Sequence, residues 1–190
     1  MAEQTYIALL AIAAMLGSGL GCSSQSREPV TFEQVQDAIG PRQESWDAEL
    51  VVSNDGVRRT ILRAHIWQEY GKNDSTYSIL SSGSDSIKVE AEIFDETGER
   101  TAIVKSIEMY FNPGEGHIIA SGDVIVRTDT DRILETEKLL WWEEDGRIEA
   151  PGFVKLTAPR ETIQGYQLDS DEALENYTLG RVTGQILVDE

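Results

Sequence analysis

Apolar and polar residues alternate with a period of two through most of this chain. Trp46, Ala48, Leu50 and Val52 alternate with Asp47, Glu49 and Val51, and Ile87, Val89, Ala91 and Ile93 alternate with Ser86, Lys88, Glu90 and Glu92. A period of two puts one apolar face on a strand, whereas a helix would need apolar residues three and four apart. Turn-forming residues divide the pattern at Asn54-Asp55-Gly56, Asp95 to Gly98, Asn112 to Gly116, Asp129 to Asp131 and Asp145-Gly146. Val57 to Tyr70 reads as one long strand or a bent pair. Gly180 to Val188 reads as the last strand, with Val182, Gly184 and Ile186 on one side. Two segments break the alternation. Thr31 to Ile39 predicts a short helix, with Thr31 and Gln34 as a capping box, Phe32, Val35 and Ile39 on one face, and Gly40-Pro41 as its stop. Asp171 to Asn176 predicts a single helical turn.

One pattern occurs twice. GHIIASGDVIV (Gly116 to Val126) recurs thirty residues later as GRIEAPGFVKL (Gly146 to Leu156), and Met109 and Phe111 upstream of the first copy match Leu139 and Trp141 upstream of the second. Each unit reads as strand, turn, strand, too small to bury its apolar face alone, so the units must stack. The expected class is all-β: a run of stacked antiparallel hairpins, forming either a sandwich or a rolled sheet.

The first residues are a separate object. Ile7 to Leu16 is a short apolar run, nearer a signal-peptide core than the ~20 residues of a membrane span. Gly19, Leu20 and Gly21 before Cys22, the single cysteine, resemble the lipobox of bacterial lipoproteins, whose cysteine is lipidated. Hence 1–22 is read as a signal segment ending at lipidated Cys22, 23–43 as a tether, and 44–190 as the β domain.

Charge narrows the range of partners. Thirty-four Asp and Glu against 16 Lys and Arg give a net charge of −18 over 190 residues. With no basic run, nucleic acid is not expected as a partner, since phosphate binding needs a basic footprint. The acids are dispersed, which points to a solvating surface and to a high-salt source whose ions screen the self-repulsion. No catalytic chemistry is legible. His65 and His117 are the two histidines, neither with metal-ligand spacing, and no nucleophile elbow, phosphate loop or dinucleotide fingerprint occurs. Glu135 and Glu137 share a strand face near Arg132 and Lys138, which reads as surface pairing, and Ser81 to Ser86 reads as a turn. No enzyme, metal or cofactor is expected.

Several stretches together resemble the periplasmic lipopolysaccharide-export protein LptC and the related LptA, the OstA-like group. They are SWDAELVVSNDG, SGDVIVRTDTDRILETEKLLWW, GRIEAPGFVKL and TIQGYQLDSDEAL, in that order, between Trp46 and Gln185. Gly122 matches the glycine opening the family's G-x-V-x-V strand, and Gly165 that of its G-x-x-L-x-x-x-x-x-L tail, with Leu168 and Leu174 as the leucines.

The resemblance implies a twisted β-jelly roll whose apolar interior holds acyl chains of lipopolysaccharide. Its members pass the lipid from an inner-membrane ABC transporter toward an LptA-like periplasmic β-roll protein, docking by strand addition. The implied place is the periplasm, on a membrane through the lipid anchor, the inner membrane before the outer. Family members better known hold the membrane with an uncleaved helix, where this chain has Cys22. The inward set expected to line the interior is Leu50, Val52, Val89, Ala91, Val124, Val126, Leu139, Trp141, Ile148, Val154, Leu156, Tyr166 and Leu168. Arg58, Arg59, Arg63 and Arg127 are candidates to offset repulsion of an acidic cargo at the mouth, or are ordinary surface charge. Alternation alone leaves open a dry core and, with it, a structural envelope lipoprotein that mediates protein assembly.

Overall fold

Strand alternation becomes structure from Gln43 onward. The computed structural model describes residues 40–72, 75–84, 87–143 and 145–187, so the signal segment, Cys22 and the predicted helix at 31–39 lie outside the described residues. The strands are β1 (Gln43–Asn54), β2 (Val57–Lys72), β3 (Ser75–Ser81), β4 (Val89–Phe94), β5 (Arg100–Ser106), β6 (Glu108–Asn112), β7 (His117–Thr128), β8 (Ile133–Trp142), β9 (Arg147–Ala158), β10 (Glu161–Asp171) and β11 (Tyr177–Leu187). All pair antiparallel in a single 11-stranded sheet. The fold is all-β, as the alternation predicts.

The topology is a meander. β3 and β4 both pair with β2, β5 and β6 both pair with β7, and β3 pairs with β6 as β4 does with β5. Each of these couples is therefore one long strand in two pieces, the first of them ending at Ser81 and resuming at Val89, the second broken at Ile107. Taken so, every strand is hydrogen-bonded to its neighbours in sequence, and β1 and β11 are the two edges of the sheet among the described residues. Val57 to Tyr70 is one strand, and the thirty-residue repeat sets β7 and β9 on either side of β8.

A crease crosses the strands near their middles. Asp47 in β1, Gly122 and Asp123 in β7 and Gln167 in β10 have left-handed φ angles of 49°, 77°, 44° and 59°. The pairing register shifts between Ser121 and Val124, between Thr136 and Leu140, and between Tyr166 and Leu168. Bulges bend a strand and raise its twist, and placed at one level on successive strands they fold the sheet along a line. Side chains fasten that line: Lys88 Nζ donates to the Asp123 carbonyl at 2.7 Å and to its carboxylate at 2.5 Å, and the Asp123 amide donates to Glu137 at 3.2 Å. Ile107 donates its amide to the Gly122 carbonyl at 2.9 Å.

The two halves close on one another. On one side of the crease, Leu50, Leu62, Ala91, Val104, Val126, Leu134, Leu156 and Ile163 are successive cross-strand partners from β1 to β10. On the other side Trp67, Leu80, Met109, Ala120 and Leu139 form a second such row. Both rows belong to one buried apolar cluster or pack directly on it. Turns from the two ends of the strands also meet: Asn54, Asp55, Arg59 and Glu96 line a cleft together with Gly116 and Glu143. The result is a rolled, jelly-roll-like sheet with the crease as spine and strand tips as lips. At about 4.8 Å per strand, its interior runs roughly 40 Å from edge to edge.

Candidate functional site

The interior of the roll is the candidate site, because it gathers nearly all the inward residues expected from the alternation. Val89, Ala91, Val124, Val126, Leu139, Trp141, Ile148, Val154, Leu156 and Leu168 are all buried in one cluster. Leu50 and Val52 lie at the β1 edge, partly buried and packed against that cluster, as Trp67 does on β2 and Tyr177 and Leu179 do on β11. The two ends of the interior are thus rimmed by half-covered apolar residues.

Tyr166 is a correction. Its cross-strand partner is Phe153, 44 % exposed, its ring meets that of Phe153 at 5.5 Å, and the Arg181 guanidinium stacks over it at 4.2 Å. It lies on the outer face. The bulge at Gln167 adds a residue between Tyr166 and Leu168, so two positions of equal parity take opposite faces. Trp46 is turned out in the same way at Asp47, with 62 % of its surface exposed. On β11, the shift beside Gly165 pairs Val182 with inward Gly165 but Ile186 with Thr162, so these two do not share a side.

Gly122 and Gly165 are explained by close approaches. A Cβ on Gly122 would lie 3.0 Å from Ile107 Cβ, at a φ that L residues avoid. A Cβ on Gly165 would run into the carbonyl of Arg181 on β11.

The segment 171–176 is a turn with no helix, and it holds two residues that alternation did not place inside. Leu174 is fully buried with φ 56°, in the same apolar cluster. Glu172 accepts a hydrogen bond from Trp141 Nε1 at 2.7 Å, and burial pushes its carboxyl above the ordinary glutamate range. The Trp141 bond and the Arg59 charge oppose that rise, while Glu143 and Asp171 add to it. The leucine in DEALEN was the available signal, masked by a helical reading of its neighbours.

Charge stays on the outer face, as a ladder. Glu49, Arg63, Glu90 and Lys105 are successive cross-strand partners, as are Glu135 and Lys155. Arg63 pairs with Glu49 at 2.7 Å, with Glu90 at 3.1 Å and with Glu92, while Lys105 pairs with Glu90 at 2.8 Å and Lys155 with Glu135 at 2.6 Å. Glu135 therefore pairs across the sheet with Lys155, while Glu137 accepts the Asp123 amide. Arg63 is committed to this ladder, Arg58 stacks on Phe94 at 4.5 Å and Arg127 is exposed on the outer face, which leaves Arg59 at the lip. The same face carries a row of rings, Tyr70, Tyr77, Tyr110, His117 and Trp142, with centroids 5.3, 5.4, 6.0 and 5.0 Å apart. His65 Nδ1 lies 2.8 Å from Asp47 at the crease.

The interior is closed. Leu62, Leu80, Val89, Met109, Val126, Leu134 and Val154 are at 0 % exposure, so an apolar ligand enters only where the lips or ends part. Each side chain of this kind withdrawn from water contributes about 1.5–3 kcal/mol. The fold and site define an all-β, single-sheet roll with one apolar interior. No protein-family model matches the chain, and no curated protein matches it.

Proposed function

We propose that the protein is a lipid-binding bridge component of lipopolysaccharide export, with acyl chains held between the two halves of the roll. The observation that carries this reading is the apolar row that runs unbroken from Leu50, half-covered at the β1 edge, to Ile163 on β10, beside a β11 edge that carries half-covered Tyr177 and Leu179. In this reading the protein is anchored through Cys22 in the periplasm, receives lipid from an inner-membrane ABC transporter and passes it to an LptA-like β-roll partner. Edge strands β1 and β11 supply backbone groups for strand addition. This reading assigns Arg59, which shares the lip with Asp55, Glu96 and Glu143, to meet an acidic headgroup.

A second reading, a structural envelope lipoprotein with a dry core that mediates protein assembly, is favoured by the full closure of the central residues. The deciding experiment titrates the full chain with lipopolysaccharide and follows tryptophan fluorescence, to which Trp67 and Trp141 of the interior contribute. Saturable binding that lipid A displaces supports the bridge reading. A folded chain, shown by circular dichroism, that binds neither lipid supports the structural reading, and capture of partner proteins then becomes the test.

A further inference from the structure

Among the hairpin turns described, the one between β10 and β11 stands apart. The turns at 55–56, 96–98, 113–116, 129–131 and 159–160 bury no residue, whereas 171–176 sends Leu174 fully into the apolar cluster. It does so at a cost, since Leu174 has a left-handed φ of 56°, a conformation unfavourable for a residue with a Cβ.

The turn is also self-contained. The Asp171 carboxylate accepts hydrogen bonds from the amides of Glu175 at 2.8 Å and Asn176 at 3.1 Å and from the Asn176 side chain at 2.7 Å. The Leu174 amide donates to the Asp171 carbonyl at 3.1 Å, and the Asp171 amide to the Asn176 carbonyl at 3.2 Å. Because most of its polar groups satisfy one another, the loop can swing out as a unit, and the buried donors it would leave behind are Trp141 Nε1 and Ser170 Oγ. Three attachments hold it in: Leu174, the bond from Trp141 to Glu172, and the bond from Ser170 Oγ to the Asn176 carbonyl at 3.3 Å. Trp141 belongs to the interior, paired across strands with Ile118 and Ile148.

We infer that the 171–176 turn is a removable plug over the interior, with Leu174 as its stopper and the Trp141–Glu172 bond as its latch, which withdraws to admit an apolar chain. This rests on the reading that the interior takes acyl chains. The latch is weak by construction. Glu172 faces Arg59 from β2, but also Glu143 from the β8–β9 turn and Asp171 from its own loop, so two like charges oppose its seating and one cation favours it. A seat with opposed terms gives a plug that closes and still releases.

The test is stopped-flow uptake of cis-parinaric acid by the full chain, kept below the micelle concentration of its detergent. Leu174→Ala should speed uptake and release by roughly tenfold or more, because a truncated core leucine loses much of its hold, with probe affinity little changed. Val51→Ala, which removes apolar bulk from the exposed outer face of β1, should not speed uptake. Glu172→Gln keeps the acceptor for Trp141 and drops the charge, so it should slow uptake at pH 7.5. Equal acceleration by Leu174→Ala and Val51→Ala, or no change in either, overturns the plug while uptake by the wild type still supports a lipid-filled interior. Should Leu174→Ala fail to fold, an unchanged rate in Glu172→Gln overturns it. Absence of uptake in the folded wild type and in every variant removes the interior reading itself, and the plug with it.

Discussion

Arg63 holds Glu92 from the strand beside it on the outer face, and the same guanidinium reaches Glu49 and Glu90. The Glu92 carboxyl is held below the ordinary glutamate range, chiefly by the hydrogen bond from Arg63. Arg63→Met keeps the aliphatic stem but leaves three carboxylates around a neutral side chain. Exposed pairs contribute about 0–1 kcal/mol. Glu92 is only 16 % exposed, so the variant should lose about 1–2 kcal/mol, measured by urea unfolding at pH 7. In 1 M NaCl, where the Debye length is about 3 Å, the gap to wild type should narrow. It should narrow also as pH falls through the glutamate range, since a depressed carboxyl confers stability above its unfolded value and loses it on protonation.

Glu172 titrates with the opposite sign. Burial raises its carboxyl in the folded chain, so the unfolded chain ionises first as pH rises, and stability falls from the ordinary glutamate range up to the raised value. Glu172→Gln removes that fall and retains an acceptor for Trp141 Nε1. The variant and wild type should melt together near pH 4, and the variant should melt higher at pH 7.5. A wild type that melts higher at both pH values would show that the carboxylate is stabilised where it sits, against the burial argument.

Tyr166 and Leu168 give the sharpest check on the crease. Leu168→Asp places a carboxylate at a site 2 % exposed and removes a core leucine, a loss of about 4 kcal/mol or more. Tyr166→Asp loses the stacking with Phe153 and Arg181, about 1 kcal/mol, and leaves its new charge beside a guanidinium. Urea midpoints should separate the two widely. If Tyr166→Asp proved the more damaging, the inward register of β10 would have to be shifted by one.

These two residues also mark where the sequence stops being readable. Alternation within a half-strand is set by burial of one face, so Val89 with Ala91, Val124 with Val126 and Val154 with Leu156 fall inside as the pattern demands. Where a strand crosses the crease, an extra residue resets the count, and a bulge has no hydrophobic signature. Tyr166 and Trp46 are therefore misassigned, while Leu139 and Trp141, beyond the bulge in β8, are recovered through the repeat with Met109 and Phe111. Leu174, singled out by the resemblance, escapes the alternation for another reason. Its burial comes from a turn closed by Asp171, whose carboxylate accepts from the amides of Glu175 and Asn176, four and five residues on, a closure that hydrophobic alternation does not register. Closure of the lips, which depends on strand tips distant in sequence, leaves no local trace.

Glycine at 165 should be the least replaceable of the small residues in the sheet. Its β10 backbone passes so near that of β11 that a methyl group would meet the Arg181 carbonyl, and since both sides of the contact are main chain, neither can rotate away. The register between the two strands already shifts at Gln164 and Gly165, so any added displacement falls on β11, an edge with one partner strand. Gly165→Ala should cost about 2–3 kcal/mol, expressed as lost hydrogen-exchange protection through β11 ahead of the rest of the sheet. Gly152→Ala is the matched control. Its Cβ would meet nothing within 4 Å, so its cost should stay within about 0.5 kcal/mol. Equal losses for the two variants would mean that chain flexibility, and not the approach to Arg181, selects glycine at 165; a loss confined to Gly165→Ala, with β11 exchanging first, would fix the contact as the reason.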